Sequence, residues 1–159
     1  MSEEQLQRAL DVAYALINRR DRSVSEVRAQ LERKGMAEPV REAAVRTLSE
    51  QGFLDDERFA RLFVADKREL EQWGNERIRR GLLARGIERE LADAALTHAG
   101  VQEDDVQSEL DRALALLRRR FPHPPEDGRE RERALGVLLR KGYESELALE
   151  ALAAHSRGD

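Results

Sequence analysis

The chain of 159 residues contains no cysteine, and only 4% of it is aromatic. Without cysteine there is neither a disulfide framework nor a thiolate metal site, and an intracellular location is the simplest reading. With so few aromatics and 38% charged residues, a single thick core is excluded, and thin helical layers stacked side by side fit better. No apolar run approaches the ~18 residues that a membrane helix needs, and the first twenty residues are charged where a signal peptide would be apolar. We therefore expect a cytoplasmic protein that does not engage membranes. Valine and isoleucine are few and never alternate with polar residues, so no strand is expected. The three histidines, His98, His123 and His155, are far apart and lack partners at helical ligand spacing, so we read them as structural or exposed and expect no metal or cofactor. No glycine-rich phosphate loop occurs, each glycine reading as a single residue at a helix end. Nothing supports catalysis, and the chain is not expected to be an enzyme.

What is present is repetition. An apolar residue, three positions, Leu, two positions, a basic residue, Gly and another apolar residue recur as Val27 to Met36, Ile78 to Ile87 and Ala134 to Tyr143, around Leu31-x2-Lys34-Gly35, Leu82-x2-Arg85-Gly86 and Leu138-x2-Lys141-Gly142. The match continues through Val40, Leu91 and Leu147, and through Ala44, Ala95 and Ala151. A tandem array follows. The second glycine interval exceeds the first, and the excess fits Phe121-Pro122-His123-Pro124-Pro125, where a helix interior is impossible. Three repeats are expected at 1–53, 54–100 and 101–159.

Alanine, leucine, glutamate, arginine and glutamine dominate, so the fold class is all-α. Leu6, Leu10, Ala13, Tyr14 and Ile17 form one helical face; Val106, Leu110, Ala113, Leu114, Leu117 and Phe121 form another; Phe59, Leu62, Phe63 and Leu70 form a third. A shorter helix then leads into each glycine, which suits the left-handed end of a helix. Ser23-x-x-Glu26 is a capping box in front of the first of these, and Asp127-x-x-Glu130 is related to it. After each glycine a third helix begins, near Pro39, Glu88 and Glu144. Each repeat thus reads helix, helix, glycine turn, helix, about nine helices in all. Gly35, Gly86 and Gly142 are the structural glycines, and Asp55-Asp56 reads as the cap of the helix that opens repeat two.

The formal net charge is −4 and the isoelectric point is near 5.6, which argues against tight autonomous binding to duplex nucleic acid. Local clusters are basic nonetheless. Arg77, Arg79 and Arg80 stand together, as do Arg118, Arg119 and Arg120. At helical spacing Arg33, Arg77, Arg129, Arg133 and Arg140 fall to one side of the apolar stripe on the second helices, and guanidinium groups in a row could pair with phosphates or with a partner's carboxylates. Ordinary solvated arginines paired with neighbouring glutamates are the competing reading. Lys34, Arg85 and Lys141 read as caps on the last carbonyls of their own helices. Trp73, the only tryptophan, reads as an anchor for a thin core or as a stacking platform.

These residues resemble the RecX family of bacterial recombination regulators. The resemblance rests on Arg22-Ser23-x-x-Glu26 with Leu31-x-x-Lys34-Gly35, on Gly52-Phe53-Leu54-Asp55-Asp56-x-x-Phe59-Ala60, on Phe63-Val64-x-x-x-Arg68, on Gly74-x-x-x-Ile78-x-x-x-Leu82-x-x-Arg85-Gly86-Ile87, and on Leu138-Leu139-Arg140-Lys141-Gly142-Tyr143. It implies three tandem three-helix repeats in an elongated, curved molecule without enzymatic activity. It implies a monomeric negative regulator of homologous recombination and the SOS response, which lodges in the groove of the RecA filament, meets DNA mainly within it, and inhibits RecA ATP hydrolysis, strand exchange and coprotease activity. The alternative is an independent helical nucleic-acid-binding protein. That reading needs basic third helices, whereas 39–50, 88–98 and 144–154 are neutral to acidic.

Overall fold

The computed structural model describes residues 1–98 and 105–158. The expected boundary at 100/101 and the side chains of His98 and Val106 lie outside the described residues. Among those described there are nine α-helices and no strand: α1 (Glu3–Arg19), α2 (Val24–Arg33), α3 (Glu38–Glu50), α4 (Asp56–Glu69), α5 (Asn75–Ala84), α6 (Arg89–His98), α7 (Asp105–Arg120), α8 (Gly128–Lys141) and α9 (Ser145–Arg157). Their packing defines two compact units, one of residues Met1–Leu62 with Leu82–Ala92, the other of Phe63–Gly81 with Asp93–Asp159. Helices α4, α5 and α6 each contribute residues to both.

In unit one, α1 packs on α3 and α2 packs on both. Ala9, Leu10 and Ala13 of α1 meet Val27, Leu31, Val40, Ala44 and Leu48 in a core of small and branched side chains. Tyr14 lies at its rim, its ring edge-on to Phe53 at 5.6 Å and its hydroxyl 2.6 Å from Gln51 Oε1. α2 opens with a reciprocal capping box: Ser23 Oγ accepts from Glu26 N, and Glu26 Oε1 accepts from Ser23 N. Ser23 is fully buried, and its hydroxyl proton is donated to Arg85 O at 2.6 Å. Ser25 Oγ follows, donating to Gly86 O at 3.4 Å. The start of α2 therefore sits on the turn that ends α5.

Unit two has the same kind of joint. α7 and α8 pack on α9, burying Ala113, Leu117, Ala134, Leu138, Tyr143, Ala148 and Leu152. The start of α5 sits on the turn that ends α8: Gly74 N donates to Lys141 O at 2.7 Å and Glu76 N to Gly142 O at 3.2 Å. Unsatisfied amides at one helix start thereby meet unsatisfied carbonyls at another helix end, and the opposed ends of the two helix dipoles attract. No side chain fits between them. Gly142 has φ 98°, and a Cβ there would overlap Arg77; a Cβ on Gly74 would come within 2.6 Å of Tyr143 N. Tyr143 is buried behind the turn and donates its hydroxyl to Gln72 O at 3.1 Å.

An acidic side chain completes each joint. Asp56 Oδ1 accepts from Val24 N, the first amide of α2, at 2.9 Å, and Glu109 Oε1 accepts from Asn75 N, the first amide of α5, at 3.2 Å. Arg68 ties the second joint to α6, donating to Asn75 Oδ1 and to Leu96 O.

Several sequence expectations need correction. Asp55 takes the N-cap role for α4, accepting from Arg58 N at 3.1 Å, but Asp56 caps α2 instead of its own helix, because the α2 start is brought against it. The apolar face of α4 is rotated: Phe59, Ala60 and Val64 are buried, while Leu62 and Leu70 are 46% and 73% exposed. Gly81 and Gly136 lie inside α5 and α8, not at helix ends. The Lys141 ammonium donates to Glu71 O at 2.9 Å instead of to the end of α8, since the last carbonyls of α8 are taken up by α5.

Gly142→Ala should destabilise the fold by about 2–4 kcal/mol in urea denaturation, from the strained φ plus the overlap with Arg77. Gly128→Ala, where a Cβ meets nothing within 4 Å, should cost less than about 0.5 kcal/mol. Equal costs at the two sites would refute the joint as a close-packed contact.

Two groups give the fold a pH dependence. Burial alone would raise the pKa of Glu26, but hydrogen bonds from Arg20 and from the Ser23 amide outweigh it and hold the carboxyl below the usual carboxylate range. This stabilisation is present above the unfolded carboxylate value and is lost as pH falls through the lower folded one. Burial pushes the Tyr143 phenol up to about 12, with Glu109 adding to the rise and Arg112 and Arg68 opposing it. That contribution is complete below pH ~10, the unfolded value, and disappears as pH rises toward 12. Ultraviolet titration of the folded protein should show a phenol ionising near pH 12 that Tyr143→Phe removes; a profile unaltered by that substitution would count against the burial.

Candidate functional site

Unit two carries a concentrated basic surface. α8 ends with Arg140 and Lys141, and α7 ends with Arg118, Arg119 and Arg120, positions where the negative end of the helix dipole favours cations. α5 does the opposite. Arg77, Arg79 and Arg80 occupy its first two turns, and for Arg77, in the first, the dipole disfavours positive charge by a few tenths to about 1 kcal/mol. Arg77 and Arg79 have local partners. Arg79 Nε pairs with Asp93 Oδ1 at 2.7 Å. Arg77 donates to Arg140 O at 3.0 Å, and its guanidinium carbon lies 4.1 Å from the Trp73 ring centroid. Lys67 Nζ also lies over that ring, at 4.7 Å, and over Phe63 at 5.4 Å. Trp73 is thus a half-buried ring that organises two cations.

Three open surface depressions adjoin here. Trp73, Arg77, Arg80, Gly81 and Arg140 line the first. Arg77, Arg120, Val137, Arg140 and Lys141 line the second. The third runs from Arg120 along Phe121 to Glu126, with Glu130 and Arg133 on its far side. The first two share Arg77 and Arg140, and the last two share Arg120, so the cations form a continuous track. No carboxylate lines the first two depressions. Among the described residues Arg77, Arg80, Arg120, Arg140 and Lys141 take part in no ion pair. The hydrogen bonds of Arg77, Arg80 and Lys141 end on main-chain carbonyls, of Arg140, Glu76 and Glu71 respectively. Their charge is directed but not neutralised, which suits an anionic ligand.

The arginines singled out in the sequence divide accordingly. Arg77, Arg80, Arg120, Arg133 and Arg140 come together along the track. Arg118, Arg119 and Arg129 are exposed and line none of its depressions. Arg79 is engaged by Asp93. Arg33 belongs to unit one, is exposed, and donates to Gln30 Oε1 at 2.7 Å. Gly86 and Gly142 lie in the helix joints, Gly35 in an open turn, and Asp55 and Asp56 at the starts of α4 and α2. Sequence reasoning missed Lys67 as part of the surface. Its i+4 relation to Phe63 was legible, but its approach to Trp73 depends on the reversal of the chain after α4, where Gln72 takes φ 55°. Among the described residues there is no group of histidines and carboxylates able to hold a metal ion, and no helix long and apolar enough to cross a membrane.

Family models for the first, second and third three-helix domains of RecX match residues 9–48, 55–96 and 107–152. A regulatory protein RecX from Trichlorobacter lovleyi is 33% identical over 138 residues, which cover 85% of this chain and 87% of that one. One from Thermus thermophilus is 36% identical over 144 residues, with 90% and 89% covered. The crystal structure of RecX from Lactobacillus salivarius superposes with a TM-score of 0.82 over 99% of this chain and 100% of that one, at 16% identity. An all-helical chain matched along its length by three successive domain models, and by full-length relatives at this level of identity, belongs to the RecX family of regulatory proteins.

Proposed function

We propose that this protein is a negative regulator of homologous recombination and of the SOS response, which binds in the groove of the RecA–DNA filament and inhibits RecA ATP hydrolysis, strand exchange and coprotease activity. Membership of a family of regulatory proteins supports the regulatory role. The observation that carries the mode of action is the track of unpaired cations around Trp73 in a chain whose net charge is −4. An acidic protein with one basic surface is poorly suited to coat bare DNA, where affinity scales with the number of phosphates neutralised. It suits a composite target that offers phosphates at one place and a protein surface at others.

In this reading the repeats 1–53, 54–100 and 101–159 act as successive contact modules of a cytoplasmic monomer, and many weak contacts add up along the filament. The track in repeats two and three, from Arg80 through Arg77, Arg140 and Arg120 to Arg133, meets phosphates or acidic side chains in the groove. In this reading Arg79, Arg118, Arg119 and Arg129 of the same unit add peripheral contacts, and Arg33, in unit one, adds a separate one. The third helices offer no basic recognition surface: α3, α6 and α9 each carry more aspartates and glutamates than lysines and arginines. No cofactor and no chemistry of the protein's own enter the reading.

The test is single-strand-dependent ATP hydrolysis by the cognate RecA, with the protein titrated well below one per recombinase subunit and binding to bare single-stranded DNA measured alongside. We expect a steep fall without appreciable binding to bare DNA. Inhibition that merely tracks coating of the DNA would favour an independent nucleic-acid binder. Replacing Arg80, Arg120 and Arg140 together with alanine should raise the half-inhibiting concentration by about tenfold or more and leave the helical circular dichroism unchanged; full inhibition by this variant would remove the track from the mechanism. Arg77 is left out of that variant because it also braces the joint at Gly142.

A further inference from the structure

Both joints in this chain follow one plan. The entering helix start donates one hydrogen bond to the carbonyl of the basic residue and one to the carbonyl of the glycine after it: Ser23 to Arg85 and Ser25 to Gly86 in one, Gly74 to Lys141 and Glu76 to Gly142 in the other. An acidic side chain from the helix that opens the next repeat, Asp56 or Glu109, closes on the first amide of the entering helix. A Cβ placed on Gly86 or Gly142 runs into the entering helix.

Repeat one contains the same turn. Gly35 has φ 79°, and the Met36 amide donates back to Leu31 O at 3.1 Å, as Ile87 does to Leu82 and Tyr143 to Leu138. Lys34 and Gly35 are exposed, and a Cβ on Gly35 meets nothing within 4 Å. Among the described residues neither the Lys34 nor the Gly35 carbonyl accepts a hydrogen bond. The helix that opens this repeat, α1, carries exposed acids in its first turn, Glu3 and Glu4, as α4 carries Asp56.

We infer that the Gly35 turn is a third socket of the same kind, which receives the N-terminal end of a helix on a protein partner. The inference rests on the regulatory reading above, under which that partner is the recombinase. The chemistry of the socket selects its occupant. It presents main-chain acceptors at the negative end of a helix dipole, so the occupant must bring donors and positive potential. A nucleic-acid strand brings phosphates and is repelled. A second copy of this chain would have to offer the start of α8, the second helix of repeat three, whose cap is the Asp127 carboxylate, already accepting from Glu130 N at 2.9 Å. In the filled sockets the cap donates either a side-chain hydroxyl, from Ser23, or a main-chain amide with no Cβ to collide with the turn, from Gly74; aspartate has no hydroxyl proton when ionised and carries a Cβ. The partner helix accordingly begins with serine, threonine or glycine.

Gly35→Asn tests this, because asparagine tolerates the left-handed turn while its side chain fills the mouth of the socket. Gly52→Asn is the control: Gly52 has φ 81° with nothing within 4 Å, but it follows α3 and belongs to no joint. The urea midpoints of the two variants should fall alike. In the ATP hydrolysis assay Gly35→Asn should raise the half-inhibiting concentration by about tenfold, and Gly52→Asn should leave it at the wild-type value. Inhibition by Gly35→Asn at the wild-type concentration, or an equal loss in both variants, overturns the socket and leaves the regulatory reading intact. A wild-type chain that does not inhibit the recombinase overturns that reading and this inference with it.

Discussion

The fold depends on one contact used twice: the start of a short helix set against the glycine turn that ends another. α2 and α5 are ten residues each, below the length at which an isolated helix holds together in water. Their amphipathic faces supply part of what is missing, through Val27 and Leu31 in α2 and Ile78 and Leu82 in α5, all fully buried. The joint supplies the rest, because carbonyls at the end of another helix are satisfied by main-chain amides at the start of α5 and by serine hydroxyls at the start of α2. Burying such groups without partners would cost about 1–3 kcal/mol each. The glycine is the condition for all of it, since only a residue without a side chain lets two backbones meet at this distance.

The same geometry explains where the basic surface lies. Docking α5 on the α8 turn brings the first turns of a helix rich in arginine up to the last turn of another that ends in Arg140 and Lys141. Cations that would otherwise repel are held by main-chain carbonyls and by the face of Trp73, groups that orient charge without cancelling it. Arg77 belongs to both systems, bracing the turn at Gly142 and presenting a guanidinium on the track.

Repetition made the fold legible. The spacing of leucine, basic residue and glycine marks the end of each second helix, and Ser23-x-x-Glu26 marks a start. The joints were not legible, because they pair groups more than sixty residues apart, Ser23 with Arg85 and Arg77 with Arg140, and because most of their acceptors are peptide carbonyls, which every residue carries. For the same reason Asp56 looked like a cap for the helix it begins, and Lys141 like a cap for the helix it ends. Of the arginines, helical periodicity found those that share a side of α5 and α8. It could not separate Arg79, which the fold hands to Asp93, from Arg80, which it leaves without an ion pair.

An interface whose turn accepts through main-chain carbonyls is largely indifferent to the side chains of that turn. The basic residue is arginine at one joint and lysine at the other, and the closing acid changes from aspartate to glutamate, yet the accepting carbonyls correspond, with serine hydroxyls donating to them at one joint and main-chain amides at the other. The accepting side of such a contact can drift in sequence without being lost, provided the glycine stays. A fold assembled through contacts of this kind can persist when most of its residues have been exchanged, in keeping with a backbone shared at 16% identity along nearly the whole chain.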